Sequence, residues 1–311
     1  MLARRRAAQS LRWIPPGVLA ALLIAVAAAS GALMNALVRL LAADLHPFEI
    51  AFFRNFFGLI AVLPLLGSMG FVRLRLRNSG RLVLSSLGHV VAMLTFFTAL
   101  TSMPLTDAAA LSFTTPLFAT AGAALFLGEI VRARRWTAVG VGFLGVIIVM
   151  RPGVAGFTWA AGLALFSSMV FAAVALVIKQ MTQHERTVSI VFYQSLFTTC
   201  LAALPAAIVW RLPVGSDWAL LALLGALGTF GWLLFTQAYV LAEASALTPY
   251  DFTRLPFTAL VAYALFDEVP DRWTWIGGAV IFASTVYIAH REAAVARMRR
   301  TAAASETRML E

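Results

Sequence analysis

The stretch Gly17–Leu40, GVLAALLIAVAAASGALMNALVRL, decides the fold. Its only ionisable group is Arg39, near the end, and about 20 apolar residues are enough for a helix to cross a bilayer. Arg4, Arg5, Arg6 and Arg12 precede it. The run ends without a small-residue cleavage pattern, so it reads as a first transmembrane helix and not as a removed leader.

Working outward, similar runs predict ten spans, near 17–40, 47–67, 82–103, 106–127, 136–151, 158–178, 187–210, 217–241, 246–266 and 273–290. The 311 residues are 61% hydrophobic and 12% charged, with a mean hydropathy of +0.87. A soluble domain carries about twice that charged share, and a greasy soluble core would leave too little polar cover for its surface. The expected class is an all-α integral membrane protein.

Net charge is +10, but the arginines form short clusters between apolar runs. No basic face or motif for nucleic acid is present. With the N-terminus inside, 18 of the 24 basic residues fall on the inner side and four (Arg39, Arg151, Arg211 and Arg272) on the outer. That bias predicts two cytoplasmic termini. Trp136, Trp159, Trp210, Trp218, Trp273 and Trp275 stand at span ends, as an interfacial belt should. The single cysteine, Cys200, leaves no intramolecular disulfide to form.

The second half echoes the first at an offset that drifts from 140 to 137. Phe52-Phe53-Arg54-Asn55-Phe56-Phe57 matches Phe192-Tyr193-Gln194-Ser195-Leu196-Phe197. Arg39 matches Lys179, Pro116 matches Pro256, Glu129 matches Glu268, and Trp136-Thr137 matches Trp273-Thr274. The predicted organisation is a first five-span repeat within 1–152, a second within 153–290 and a polar tail at 291–311. Five is odd, so the second repeat enters from the opposite side. Inverted repeats about a midplane site are the architecture of secondary transporters; a duplication kept for a scaffold or sensor is the rival reading.

These features resemble the drug/metabolite transporter superfamily and its ten-helix EamA-type members. The residues that carry the resemblance are Phe52-Phe53-Arg54, Pro104-Leu105-Thr106-Asp107-Ala108, Pro116 through Glu129, and Pro249 with Pro256 through Glu268. It spans about Gly17 to Ala289. The resemblance implies an inner-membrane secondary carrier of a small organic metabolite (an amino acid, vitamin or nucleotide-like compound) with a central cavity between halves.

Ionisable groups within spans are candidate functional residues because charge inside the bilayer is costly. Arg254, Asp251 and Thr258 share one helical face, with Tyr250 beside them. Asp251 also reads as a first-turn residue after the cap Thr248 and Pro249. Arg254, two turns into the predicted span, is the stronger candidate for binding or gating. Arg54 contacts substrate or snorkels, Asn35 shares a face with Arg39, and Glu49 fits a first-turn dipole role. Thr115, with Ser112 and Thr114, precedes Pro116; the prolines Pro116, Pro249 and Pro256 mark expected helix breaks. In the eighth span Gly225, Gly228 and Gly231 leave a bare face for a neighbouring helix. Trp232 either stacks on a planar ligand or fills the core, and Gln237 and Tyr239 follow it. His89 is either a proton shuttle or a core histidine. Glu129 and Glu268 sit at span ends and suit interface roles.

No phosphate loop, metal set or nucleophile motif occurs. The sequence thus predicts no enzyme, cofactor or metal, and a monomer or homodimer in lipid with protons as a candidate coupling ion.

Overall fold

A computed structural model describes residues 16–69, 79–126, 133–150, 158–181, 187–241, 250, 252–288 and 290. Every regular element among them is an α-helix. In chain order these are α1 Pro16–Leu41, α2 Pro47–Met69, α3 Ser79–Leu100, α4 Leu105–Ser112, α5 Thr115–Phe126 and α6 Ala133–Met150. Then follow α7 Trp159–Met181, α8 Thr187–Ile208, α9 Asp217–Leu241, α10 Arg254–Phe266 and α11, residues 272–288.

Among the described residues, four apolar stretches, within α1, α3, α7 and α9, are long enough to cross a membrane: Gly17–Leu41, Ser79–Leu100, Trp159–Ile178 and Asp217–Phe235. Shorter apolar helices run Trp136–Met150, Phe192–Ile208 and Arg254–Phe266. Apolar runs become helices here because backbone amides in hydrocarbon can bond only within their own segment.

The packing pairs recur. Helix α1 packs on α9, and α3 on α7; α2 packs on α9, and α3 on α8; α1 packs on α10, and α7 on α4 and α5. Counting α4 and α5 as one crossing, each second pair is the first moved on by five spans. The halves are therefore related by a pseudo-two-fold, and α2 against α8 lies across it.

Glycines set the closest approaches. A Cβ on Gly145 would stand 2.8 Å from the Gly277 carbonyl oxygen, and one on Gly277 would stand 2.6 Å from that of Gly145. These are the fifth and tenth spans, matched partners meeting backbone to backbone. The main core gathers Leu37, Phe53, Phe97, Leu105, Phe113, Leu117, Leu224 and Leu255 from both halves.

Two spans are interrupted. The fourth, expected over 106–127 with a break marked by Pro116, is two helices that meet at Phe113–Thr114. In the ninth, predicted from 246, Tyr250 is helical, the chain turns at Phe252–Thr253, and α10 opens at Arg254. Pro256 thus occupies the first turn of α10, where its missing N–H costs no helical bond, and Arg254 stands at the head of α10, just after the interruption. The two breaks are themselves repeat partners: Phe113–Thr114 and Phe252–Thr253 are 139 residues apart.

Candidate functional site

The break in the fourth span is lined with hydroxyls that turn back on the carbonyls it frees. Ser112 Oγ donates to Ala109 O (2.7 Å), Thr114 Oγ1 to Leu111 O (2.7 Å) and Thr115 Oγ1 to Ser112 O (2.9 Å). Neighbouring helices assist: Ser168 Oγ donates to Leu111 O (3.4 Å) and Thr285 Oγ1 to Phe113 O (3.5 Å). Thr115 therefore spends its proton within its own turn.

The break aims the Phe113 ring at Arg254, whose guanidinium carbon lies 5.0 Å from the ring centroid. Phe252 approaches Phe113 at 5.3 Å and stacks on Phe282 at 4.1 Å, giving an aromatic column across three spans. A desolvated cation over a ring is worth about 2 kcal/mol. On its other side, Arg254 Cδ lies 3.8 Å from where a Gly31 Cβ would stand.

Helices α1 and α10 run parallel. Gly31 meets Arg254, and eight residues on in α1 the Arg39 guanidinium lies 5.0 Å from the Phe266 ring at the end of α10. At 1.5 Å per residue, Asn35 and Thr258 then stand at about the same height, one turn past Gly31 and Arg254. Both are buried, and Asn35 Oδ1 and Thr258 Oγ1 have no hydrogen-bond partner among the described residues. Buried polar atoms normally have partners, so this level suits a polar ligand.

Arg54 is held differently. Its Nη1 donates to Asn55 Oδ1 at 3.1 Å. Asn55 is oriented by donating to Ala51 O (2.9 Å) and Met93 Sδ (3.4 Å). Arg54 Nε and Nη2 are each 3.2 Å from where a Cβ on Gly228 would stand, and Met34 Sδ is 3.3 Å from it.

One end of the bundle is tied across the halves. Arg39 Nη1 pairs with Glu268 Oε1 at 2.5 Å, and Glu268 Oε2 accepts the Leu105 N–H at 3.1 Å. Thr274 Oγ1 donates to Asp107 Oδ1 at 2.5 Å. Glu49 Oε2 accepts the His46 N–H at 3.1 Å, closing the first turn of α2, while its Oε1 accepts the Arg211 N–H from the other half. Asp267, in the left-handed region at φ 56°, turns the chain so that Glu268 faces Arg39; aspartate is among the residues that tolerate that conformation.

The sequence candidates thus separate. Arg254 lies over Phe113, with Thr258 and Asn35 one turn further along α10 and α1; Arg54 joins α2 to α9. Tyr250 is exposed, and its carbonyl accepts from the Thr253 backbone N–H (3.1 Å) and hydroxyl (2.7 Å). Trp232 is half exposed and stacks on Phe235 at 5.8 Å, and Gln237 is exposed. His89 stands edge-on to Phe171 at 5.3 Å. Asp251, Thr248, Pro249 and Glu129 lie outside the described residues, as do the side chains of Lys179 and Tyr239 and, Arg81 apart, the inner basic clusters. Sequence reading missed the Phe113–Phe252–Phe282 column, the Asp107–Thr274 bond and the space that Gly228 leaves for Arg54. Asp107 had a signal, since it lies in a motif that carried the family resemblance.

Comparison with known proteins agrees with this architecture. The model of the EamA-like transporter family matches twice, at residues 17–151 and 158–289. The chain is 32% identical over 248 residues to an S-adenosylmethionine uptake transporter of Rickettsia bellii, covering 80% of this chain and 85% of that one. It is 33% identical over 247 residues to a riboflavin transporter of Rhizobium johnstonii, covering 78% and 80%. A pseudopaline exporter of Pseudomonas aeruginosa is 29% identical over 271 residues, covering 85% and 94%. The doubled family match, the recurring helix pairs and the apolar spans lead to one conclusion: the chain belongs to the EamA-like transporter family of multipass membrane proteins.

Proposed function

We propose that this protein is a secondary carrier that moves a small organic metabolite across the bacterial inner membrane by alternating access. The observation that carries the reading is the recurrence of helix pairs five spans apart, together with buried polar atoms at Asn35, Thr258 and Arg54 that lack a hydrogen-bond partner among the described residues. Two alike halves can exchange conformations and open a shared centre to alternate sides. In this reading the halves are inverted, both termini are cytoplasmic, and the end tied by Arg39–Glu268 and Glu49–Arg211 faces outward.

Chemistry narrows the cargo. Two arginines inside the apolar body favour a carboxylate or phosphate, and the Phe113–Phe252–Phe282 column favours a planar ring. Relatives named for S-adenosylmethionine and riboflavin transport are consistent with such a ligand. Arg254 and Thr258, with Asn35 opposite, form the binding or gating level. Asp251 and Tyr250 flank it in sequence.

Purified protein in liposomes is expected to show saturable counterflow of one such metabolite. Asn35→Cys and Thr258→Cys are expected to react with water-soluble maleimides from at least one side. No counterflow for any metabolite, with both cysteines shielded from both sides, would favour a scaffold or sensor and end the carrier reading.

A further inference from the structure

We propose that Arg54 is the residue that grips the oxyanion of the cargo, a carboxylate or phosphate, in a niche that exists because residue 228 has no side chain. The proposal rests on the carrier reading above and adds to it a named subsite and its chemistry.

The glycine face of α9 carries the argument. Its three glycines do different work. A Cβ on Gly225 would stand 2.5 Å from Phe57 Cβ and 2.8 Å from Gly58 N, so Gly225 lets the backbone of α2 come close. One on Gly231 would meet Ala27 O and Ser30 Cβ of α1, each at 3.5 Å. Gly228 lies between, and there the nearest atoms belong to a guanidinium and a thioether: Arg54 Nε and Nη2 at 3.2 Å and Met34 Sδ at 3.3 Å. Helix packing explains Gly225. At Gly228 the space is taken up by a charged side chain.

The arginine is also presented in a particular way. Asn55 takes Nη1, and Asn55 is itself fixed by Ala51 O and Met93 Sδ. That leaves the Nε–Nη2 edge, the side of a guanidinium that binds a carboxylate or phosphate with two parallel bonds. Nε is buried without an acceptor, and among the described residues Arg54 makes no ion pair. Seven residues into α2 from Pro47, at 1.5 Å each, the charge lies about 10 Å along the helix. A cation held there against its hydration cost calls for an anion, and the thioethers of Met34 and Met93 form a wall that can adapt to different cargo.

The test uses phenylglyoxal, which modifies guanidinium groups, on the full chain in phosphatidylcholine vesicles and in dodecyl maltoside micelles, with peptide mapping of Arg54. Benzoate and inorganic phosphate serve as oxyanion probes, and neutral benzamide as the control. Arg54 is expected to be modified, and either oxyanion should slow this about fivefold or more, the scale of a charge-assisted pair in water. Benzamide should not. Gly228→Ala should remove the protection while Arg54 remains reactive, and Asn55→Ala should weaken it. Unreactive Arg54, no protection, or protection unchanged in Gly228→Ala would overturn the assignment. If vesicle lipid alone suppresses a reaction that is fast in micelles, the occupant is a headgroup phosphate and the cargo assignment falls. Counterflow separates the two claims: flux without protection removes the subsite and keeps the carrier, and protection without any flux does the reverse.

Discussion

Arg54 and Arg254 are the two arginines inside the apolar body, and their surroundings divide their work. Arg254 lies over Phe113, in a column continued by Phe252 and Phe282. Arg54 has an amide at one nitrogen and a bare glycine along its other edge. A ring face satisfies the guanidinium plane through its quadrupole, is indifferent to the angle of approach within that plane, and is suited to a part that slides. An oriented amide fixes the fork and leaves two parallel donors for a planar anion. Residue type is the same in both places and the neighbours differ; on the proposal above, Arg54 is the grip and Arg254 the contact that moves.

The largest expected effect is at Arg54. Arg54→Gln keeps a polar side chain but deletes the fork. A lost charge-assisted contact is worth about 1.5–3 kcal/mol, so KM for counterflow should rise about tenfold to a hundredfold. Arg54→Lys should recover only part of this, because an ammonium cannot make the parallel pair. A KM in Arg54→Lys equal to that of the unchanged protein would show that only charge matters at this position and would erase the contrast with Arg254.

Next in size is the aromatic partner. Phe113→Leu removes the ring beneath Arg254 while keeping an apolar side chain, at an expected cost of about 1–2 kcal/mol. If Arg254 gates, the loss should appear in the maximal rate of counterflow more than in KM. A change confined to KM would make Arg254 a second grip and break the division.

The spans, the duplication and the arginines themselves were legible because each is written in local composition: unbroken apolar runs, matched residues at a near-constant offset, charges where none are cheap. What Gly228 meets was not legible. Three glycines at matched spacing carry the same sequence signal, and only the rotation of α2 against α9 decides that Phe57 meets one and Arg54 another. The interruption before α10 was not legible for a related reason. Thr248-Pro249 looks like a helix start and Tyr250 is helical, but Phe252–Thr253 turns and α10 opens at Arg254, two residues before Pro256. Glu49 read as a first-turn dipole residue, Glu268 as a span-end interface residue and Asp107 as part of a family motif; their partners Arg211, Arg39 and Thr274 were not legible, being more than 160 residues away.

Alanine at two of those glycines sharpens the comparison further. Gly225→Ala puts a methyl 2.5 Å from Phe57 Cβ, an overpacking that costs about 1–3 kcal/mol and should lower the thermal midpoint in detergent. Gly228→Ala meets only the far ends of Arg54 and Met34, which can shift by a few tenths of an ångström. Its midpoint should fall by less than that of Gly225→Ala while its KM rises. Similar midpoints together with normal KM in both would mean that the whole glycine face is packing.

The smallest expected effect comes from the tied end, and it bears on both arginines together. Glu268→Gln removes the charge that pairs with Arg39 but keeps an oxygen for the Leu105 N–H. The pair is partly exposed, with about a quarter of each side chain accessible (25% and 22%), so its loss is worth at most about 1 kcal/mol. If this contact holds the two halves together, that energy shifts the balance of closed and open forms by about fivefold. Asn35→Cys should then react faster with a maleimide added from the tied side in the Glu268→Gln background, to about that degree. Neither the Arg54 nor the Phe113–Arg254 contact is touched by the change, so binding of the cargo to the open form should keep its preference for an oxyanion. A faster reaction with that preference intact would mean that closure is set at the ends and recognition in the middle. No change in rate would make Arg39–Glu268 a static strut, and the movement between halves would then have to be resisted elsewhere, with Glu49–Arg211 the next contact to break.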